Sequence, residues 1–499
     1  MTIKTPPPFD PVDAGPHTPL DAHSSLHRNL GVGSIAFMAL AGAAPLGAVI
    51  AAFPIVVGVS QSPAIPLFFV LATAILAIFT AGFVRMARHV TNAGAFYSYI
   101  QAGLGRIPGT GAATFAVGTY VMLAVALAAY IGVATSDAIA HFGGPGTPWW
   151  AWTAAWVLIT GVLGYRDIEL SAKVLGVVLV VEIVVVVVID GAILARGGEA
   201  GLTTSALSPA LLADGYPSLG LMFAFFSFVG FEATAVFRTE ARDPERTIPR
   251  ATYVAVVGVG LFYAFSAWAI TVGVGPDAIV AAATDDPTGM VLGLAQTYVS
   301  PVMQDVMQIL LLTSIFACML TFHNVLTRYG YTMATKGILP AALGVVSVRH
   351  RAPSRSSLTV SVVTTVLLVA VTVAGLDPVA EVYTWLSGAA TLGVIVLMAL
   401  TSVAVLVFFR ARRDARTGLW STTIAPAIAL VCLGAVTYLV IKNFSALVPS
   451  PVVANVLLVV LVATYAVGVG VALVFRARRP QAYAALDASP SIPTQGENP

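Results

Sequence analysis

The chain has 499 residues, of which 58% are hydrophobic and only 10% are charged, and its formal net charge is +2. Soluble globular proteins usually carry about 25% charged residues, so this composition excludes a soluble fold and indicates an all-α polytopic membrane protein. The near-neutral charge predicts no nucleic-acid partner.

Apolar segments long enough to cross a bilayer recur along the chain, since a membrane-spanning helix needs about 20 apolar residues. About twelve spans are predicted, at 30–57, 64–88, 108–140, 149–165, 170–194, 216–238, 251–275, 301–333, 355–376, 380–409, 419–442 and 451–476. The first ten spans form a core over 30–410, and the last two lie within 411–477. The polar segments 1–29 and 478–499 are predicted to be mobile tails.

The positive charges predict how the chain crosses the membrane. An even number of spans places both termini on one side, and Lys and Arg favour the cytoplasmic side. With a cytoplasmic N-terminus, all but two of the 25 Lys and Arg residues fall inside, and the exceptions are Arg196 and Lys442. We therefore predict cytoplasmic N- and C-termini. The Ala-, Val- and Arg-rich composition, without an apolar targeting segment, favours the inner membrane of a bacterium.

The first span is interrupted by the small residues from Ala41 to Ala44 and by Pro45. Proline removes an amide donor and clashes with the preceding turn, so a helix kinks or breaks there. Two interpretations remain open. One is a simple proline kink with close helix packing, and the other is a broken helix whose backbone contacts a ligand.

The sixth span has a comparable interruption at Gly230, with the acidic Glu232 two residues further on. A charge at the centre of a membrane helix costs roughly 3 kcal/mol, so a functional site explains this acid better than packing does. Paired interruptions in corresponding positions of two halves indicate the binding site of a transporter. Spans one to five, about 30–194, and six to ten, about 216–409, are then predicted to be inverted halves.

Glu182 and His323 are further ionisable residues inside predicted spans. Glu182 interrupts an almost pure Val, Leu and Ile segment near the membrane midplane. It is either a protonated acid that is hydrogen-bonded within the bundle or a functional group that transfers protons or senses ions. His323 is either a hydrogen-bonded core residue or a titrating group. Cys318 and Cys432 lie in apolar spans and are predicted to be small core residues, not a disulfide or a metal pair. No metal and no cofactor are expected.

Three motifs carry a family resemblance. They are Phe225–Glu232 followed by Glu240–Arg250, Arg328–Pro340, and Asn92–Tyr97. In this order they resemble the sixth helix with its cytoplasmic loop, the end of the eighth helix, and part of the first cytoplasmic loop in the amino acid–polyamine–organocation (APC) superfamily of permeases. The resemblance covers about Leu30 to Arg410.

This resemblance implies an inverted-repeat, LeuT-like fold. In that family the carboxylate of the substrate binds amides of the first broken helix, and its ammonium group meets carbonyls of the first and sixth helices. Half-helix ends suit these charges, because their amides attract anions and their carbonyls attract cations. Matched onto this chain, the predicted substrate-binding residues are Ala43, Ala44, Pro45, Leu46, Gly47, Phe228, Val229, Gly230, Phe231 and Glu232.

The chain departs from the family pattern at two positions. Pro45 replaces the first glycine of the first helix, so one amide for the carboxylate is missing. Some proton-coupled relatives carry a lysine in the fifth helix where this chain has Glu182, so the lysine mechanism does not carry over. The candidates for proton coupling are Glu182, Glu232 and His323.

The sequence thus predicts a secondary active transporter for amino acids or related amines that works by alternating access and proton-coupled symport. Exchange, sodium coupling and a transport-dead sensor with the same fold are alternatives. An integral-membrane enzyme needs convergent catalytic groups near one leaflet, and a channel needs filter-like segments; neither pattern is present. The expected partners are a small-molecule substrate, protons and the lipid bilayer. Which amino acid or amine is carried, and the oligomeric state, stay open.

Overall fold

The computed structural model describes residues 31–486 except 91–94, 167–171, 237–240, 242, 348–352 and 413–417. The described residues form a bundle of helices, as expected for apolar segments that satisfy their own backbone hydrogen bonds within a membrane. In chain order the helices are α1 Val32–Ala43, α2 Pro45–Ser60, α3 Ile65–Ala87, α4 Ala95–Leu104, α5 Arg106–His141, α6 Trp149–Tyr165, α7 Ala172–Arg196, α8 Pro217–Phe226, α9 Ala233–Val236, α10 Pro244–Val274, α11 Ile279–Asp285, α12 Met290–Tyr298, α13 Pro301–Thr335, α14 Ser354–Val373, α15 Pro378–Ala411, α16 Trp420–Leu447, α17 Pro451–Arg478 and α18 Pro480–Ala485.

Nine helices in the described part of the chain are long and apolar enough to cross a membrane. They are α3, α5, α7, α10, α13, α14, α15, α16 and α17. The other three predicted spans differ from these in length or continuity. The fourth is the 17-residue helix α6, and the first and sixth are each divided, into α1 and α2 and into α8 and α9.

Helix α5 lies at the centre of the bundle and packs against α4, α6, α13, α15 and α17. The outer helices α7, α14 and α17 present valines such as Val177, Val366 and Val459, which are at least 60% exposed. An apolar surface of this extent is suited to contact with lipid.

Contacts between connecting segments mark the two ends of the bundle. At one end, Arg196 donates to the carbonyl of Thr297 (2.8 Å), and the amide of Glu199 donates to the carbonyl of Val272 (3.1 Å). At the opposite end of α10, Arg88 donates to the carbonyl of Glu245 (3.2 Å). The loops on each side therefore interact with loops that the charge pattern assigns to the same side.

The segment after α17 is partly ordered, although the sequence predicts a mobile tail from residue 478. Helix α18 begins at Pro480, and the carbonyl of Leu486 accepts a hydrogen bond from Lys336 (3.0 Å). Arg106 lies over the ring of Tyr483, 4.9 Å from its centroid. These contacts tie 480–486 to the bundle, whereas 1–30 and 487–499 lie outside the described residues.

Candidate functional site

The first break separates α1 from α2 at a single residue. Ala44 has φ 45° and ψ 69°, a left-handed conformation that is uncommon for a residue other than glycine. Pro45 begins α2, a position where its fixed φ suits the helix and its missing amide is not needed. The amide of Ala48 donates to the carbonyl of Ala44 (2.8 Å), which closes the first turn of α2.

The amides at the start of α2 bind side chains from two other helices. The Leu46 amide donates to Glu182 Oε2 on α7 (3.4 Å), and the Gly47 amide donates to Ser314 Oγ on α13 (3.3 Å). The Ser314 hydroxyl in turn donates to Glu182 Oε2 (2.9 Å). A helix N-terminus carries partial positive charge, so the carboxylate of Glu182 is well placed there.

The second break follows α8 and is organised by Gly230 and Glu232. Gly230 has φ +112°, which side-chain-bearing residues rarely adopt. Glu232 Oε2 accepts from the Gly230 amide (2.9 Å), and Oε1 accepts from the hydroxyl of Tyr120 on α5 (2.6 Å). The acid is 5% exposed, and both of its oxygens have a donor.

The two breaks lie directly against one another. A methyl group placed on Gly230 would lie 3.2 Å from the carbonyl carbon of Gly42, at the end of α1. The carbonyl of Gly42 accepts a hydrogen bond from Cys318 Sγ on α13 (3.2 Å). The structure therefore brings together the two interruptions that the sequence places far apart in the chain.

A buried cavity of about 30 Å³ lies beside both breaks; we call it the central cavity. Four predicted binding residues line it: Ala43, Ala44, Gly47 and Val229. Its volume is roughly that of one water molecule in the liquid, so this conformation has no room for an amino acid or an amine of similar size. None of the described residues that line it is charged.

The other predicted binding residues do not line this cavity: Pro45, Leu46, Phe228, Gly230, Phe231 and Glu232. Phe228 packs on the rings of Phe69 and Tyr263, with centroids 6.4 and 5.8 Å away. Phe231 packs on the ring of Phe83, 6.0 Å away. These two aromatic side chains therefore pack within the bundle, and their predicted role in substrate binding stays a prediction.

The three candidates for proton coupling occupy three separate places. Glu182 accepts a hydrogen bond from the backbone of the first break, and Glu232 accepts one from the backbone of the second. His323 is buried on α13, its Nε2 lies 2.9 Å from Ser357 Oγ, and it lines a different small cavity. A third buried acid, Asp190, accepts from the hydroxyl of Ser266 (2.6 Å), and it was not among the candidates predicted from the sequence.

Most of the remaining cavity wall comes from residues that the sequence analysis did not assign to the site: Leu123, Leu127, Ser227, Ile315, Cys318 and Phe322. Phe226 and Tyr383 also line it. On α13, Ile315, Cys318 and Phe322 lie at helical spacing on one face. Ser314 lies beside them, but Gln308, Thr313 and Thr321 occur on the same helix, so Ser314 was not a distinctive signal in the sequence.

Comparison with known proteins gives one family and several partial relatives. A family model described as Amino acid permease matches residues 30–465. The low-affinity putrescine importer PlaP of Escherichia coli is 26% identical over 257 residues, which cover 50% of this chain and 55% of that protein. An uncharacterized transporter of Mycobacterium tuberculosis is 30% identical over 289 residues, 57% of this chain and 61% of the other. These alignments span little more than half the length of the curated relatives.

A probable GABA permease of Pseudomonas aeruginosa is 22% identical over 309 residues, which cover 58% of this chain and 62% of that protein. Among solved structures, the crystal structure of MhsT in complex with L-phenylalanine matches with a TM-score of 0.56 at 16% identity. This match covers 81% of this chain and 98% of that one. It is a likeness of fold, the LeuT fold.

Proposed function

This chain belongs to the amino acid permease family, and from that premise we propose that it is a secondary active transporter for amino acids or related amines. The observation that carries the proposal is the contact of two helix breaks beside a buried cavity, Gly230 against Gly42. Half-helix ends at such a place offer amides and carbonyls to a polar ligand. The names of two relatives, a putrescine importer and a probable GABA permease, fit this substrate range.

The transport cycle is alternating access. The central cavity, at about 30 Å³, is too small for any amino acid. Substrate binding therefore requires the broken helices to move against their neighbours. With α1–α2, α6 and α8–α9 counted as spans beside the nine long helices, the chain crosses the membrane twelve times. The first ten spans form a 5+5 inverted repeat over 30–410, and both termini are cytoplasmic at the inner membrane.

Protons are the proposed coupling ion in a symport mechanism. Glu182 and Glu232 are both buried and each contacts a broken helix, so a change in the charge of either acid acts directly on a moving element. His323 pairs with Ser357 and lines a cavity that includes no described residue of either break, so it is the weaker candidate. Burial disfavours the charged form of a carboxylate, which makes proton uptake favourable when the surrounding donors move away.

Uptake into proteoliposomes tests this function. Purified protein is reconstituted and given a labelled mixture of amino acids and amines, with and without an inward proton gradient. Accumulation that depends on the gradient supports proton-coupled symport, and fractionation of the mixture identifies the substrate. Uptake that ignores the gradient but requires internal substrate supports the alternative, an exchanger. Absence of uptake under every condition would contradict transport and favour a sensor with the same fold.

A further inference from the structure

We propose that the central site takes an organic amine that carries no carboxylate, in preference to the matching amino acid. This inference rests on the proposed transport function and names its substrate class. Three features of the described residues carry it: the carboxylate already bound at the first break, the charge of the buried interior, and an acidic cavity next to the central cavity.

The first feature is the occupied N-terminus of α2. An incoming substrate carboxylate would be expected to bind there, because the end of a helix attracts anions. Pro45 has no amide to offer, and the Leu46 and Gly47 amides already bind Glu182 and Ser314. A second carboxylate would have to displace Glu182 or lie beside a like charge. The chain thus supplies its own anion where an amino acid would place its carboxylate.

The second feature is the sign of the buried charge. In the described part of the chain, the buried ionisable side chains include three acids, Glu182, Asp190 and Glu232, and no lysine or arginine. With Glu182 neutralising the partial positive charge of α2, the surroundings of the central cavity favour a cation over a zwitterion. A ligand with an ammonium group and no carboxylate has the charge that these surroundings favour.

The third feature is a cavity of about 180 Å³ between the ends of α5 and α13 and the segment joining α11 to α12; we call it the acidic cavity. Asp137, Asp286 and His141 line it, and His141 Nε2 lies 2.6 Å from Asp305 Oδ1. None of the described residues around it is lysine or arginine. Its wall also includes Tyr130, which is 2% exposed and whose hydroxyl has no hydrogen-bond partner among the described residues.

A residue that lines the acidic cavity contacts a residue that lines the central cavity. The ring of Tyr130 lies 4.7 Å from the ring of Tyr383, which lines the central cavity. Asp137 and Asp286 are both exposed, and carboxylates that line a concave surface raise the local concentration of cations. A cationic amine is therefore favoured on the way to the central cavity.

Matched pairs of ligands that differ only in the carboxylate test this inference. The pairs are phenethylamine and phenylalanine, tyramine and tyrosine, putrescine and ornithine, and agmatine and arginine. Affinity is measured by thermal shift and calorimetric titration on the purified full chain, because some of these amines cross membranes unaided. In at least one pair we expect the amine to bind about tenfold more tightly or better, which corresponds to about 1.4 kcal/mol.

The outcomes separate this inference from the proposed function. If, in every pair that binds, the amino acid binds as tightly as its amine or more tightly, the substrate-class inference is wrong while the transport function stands. If no member of any pair binds and none is taken up by proteoliposomes, the transport function fails and the inference fails with it. The comparison needs no variant, so misfolding of a mutant cannot obscure it.

A charge-removing variant tests the assigned cause. Glu182→Gln keeps the size of the side chain and an acceptor for the Leu46 amide, and we expect it to reduce the preference for amine over amino acid about tenfold. Asp190→Asn is the matched control, since Asp190 is buried on the same helix but binds Ser266 and not α2. An unchanged preference in Glu182→Gln, or an equal loss in Asp190→Asn, would contradict the role given to Glu182.

Discussion

The carboxylate of Glu232 links the second break to the centre of the bundle through Tyr120 and the Gly230 amide. A glutamine can accept from the Gly230 amide with its oxygen and donate to the Tyr120 oxygen with its nitrogen. Glu232→Gln therefore keeps both contacts and removes the charge and the ability to titrate. We expect the variant to fold and its rate of gradient-driven uptake to fall about tenfold or more. A tenfold change corresponds to about 1.4 kcal/mol. Initial rates in proteoliposomes across a pH series measure it.

Tyr120→Phe is the control for that experiment. It removes one donor from Glu232 but leaves the acid itself in place, so uptake should still respond to the proton gradient. If Glu232→Gln shows the pH dependence of the unmodified protein, Glu232 has no role in coupling and serves to hold the break together.

Gly230 is a position where the backbone itself requires glycine. Its φ of +112° is strained for any side chain, and a methyl group would press on Gly42 at 3.2 Å. We expect Gly230→Ala to destabilise the protein by about 1–3 kcal/mol, as for other forced backbone conformations. The measurement is the midpoint of thermal unfolding in detergent.

Gly434→Ala provides a matched comparison on α16. A methyl group there meets nothing within 4 Å, and alanine is the better helix former by up to about 1 kcal/mol. Its unfolding midpoint should stay the same or rise. Equal midpoints for Gly230→Ala and the unmodified protein would mean that the second break adopts a different conformation.

At the level of helices, the long spans and the positions of the two interruptions were predictable because they depend on neighbouring residues, whereas the choice between a kink and a break in the first span stayed open. Apolar length marks a span, and Pro45 among small residues and Gly230 beside Glu232 are local signals of an interruption in a span. The partners of Glu182 were not predictable, because Leu46 and Ser314 are 136 and 132 residues away from it. The same reason explains why the cavity wall from α5 and α13 was missed, since packing alone brings those faces to the breaks.

The contact between α5 and α15 provides a prediction about access to the central cavity. Tyr130 and Tyr383 separate that cavity from the acidic cavity. Cys318, 6% exposed, lines the central cavity and can report its opening. In protein carrying Cys432→Ser, we expect Tyr383→Ala to speed the reaction of Cys318 with a water-soluble maleimide about tenfold or more, equivalent to about 1.4 kcal/mol of easier opening.

Tyr438→Ala is the control for this measurement, because Tyr438 is 66% exposed on α16 and lines neither cavity. Its labelling rate should equal that of the protein with Cys432→Ser alone. A Tyr383→Ala rate no faster than this control would show that another layer of the bundle closes the central cavity.

For the whole molecule, the distribution of charge agrees with the contacts between the loops. Arg196, one of the two positive residues predicted to lie outside, contacts Thr297 at the end of the bundle where Asp137 and Asp286 line the acidic cavity. Lys336 and Arg106 bind the segment around α18 at the other end. The basic end is expected to face the cytoplasm because Lys and Arg are retained there during insertion.

Single cysteines in two exposed loops test this orientation. Leu202 follows α7 and is 64% exposed, and Val346 follows α13 and is 43% exposed. In a background with Cys318→Ser and Cys432→Ser, we expect a membrane-impermeant maleimide to label Leu202→Cys in intact cells and Val346→Cys only after permeabilisation. Serine at 318 retains a hydroxyl that can donate to the Gly42 carbonyl in place of the thiol. The reverse pattern would place the acidic cavity on the cytoplasmic side, and labelling of both sites in intact cells would contradict the span count between them.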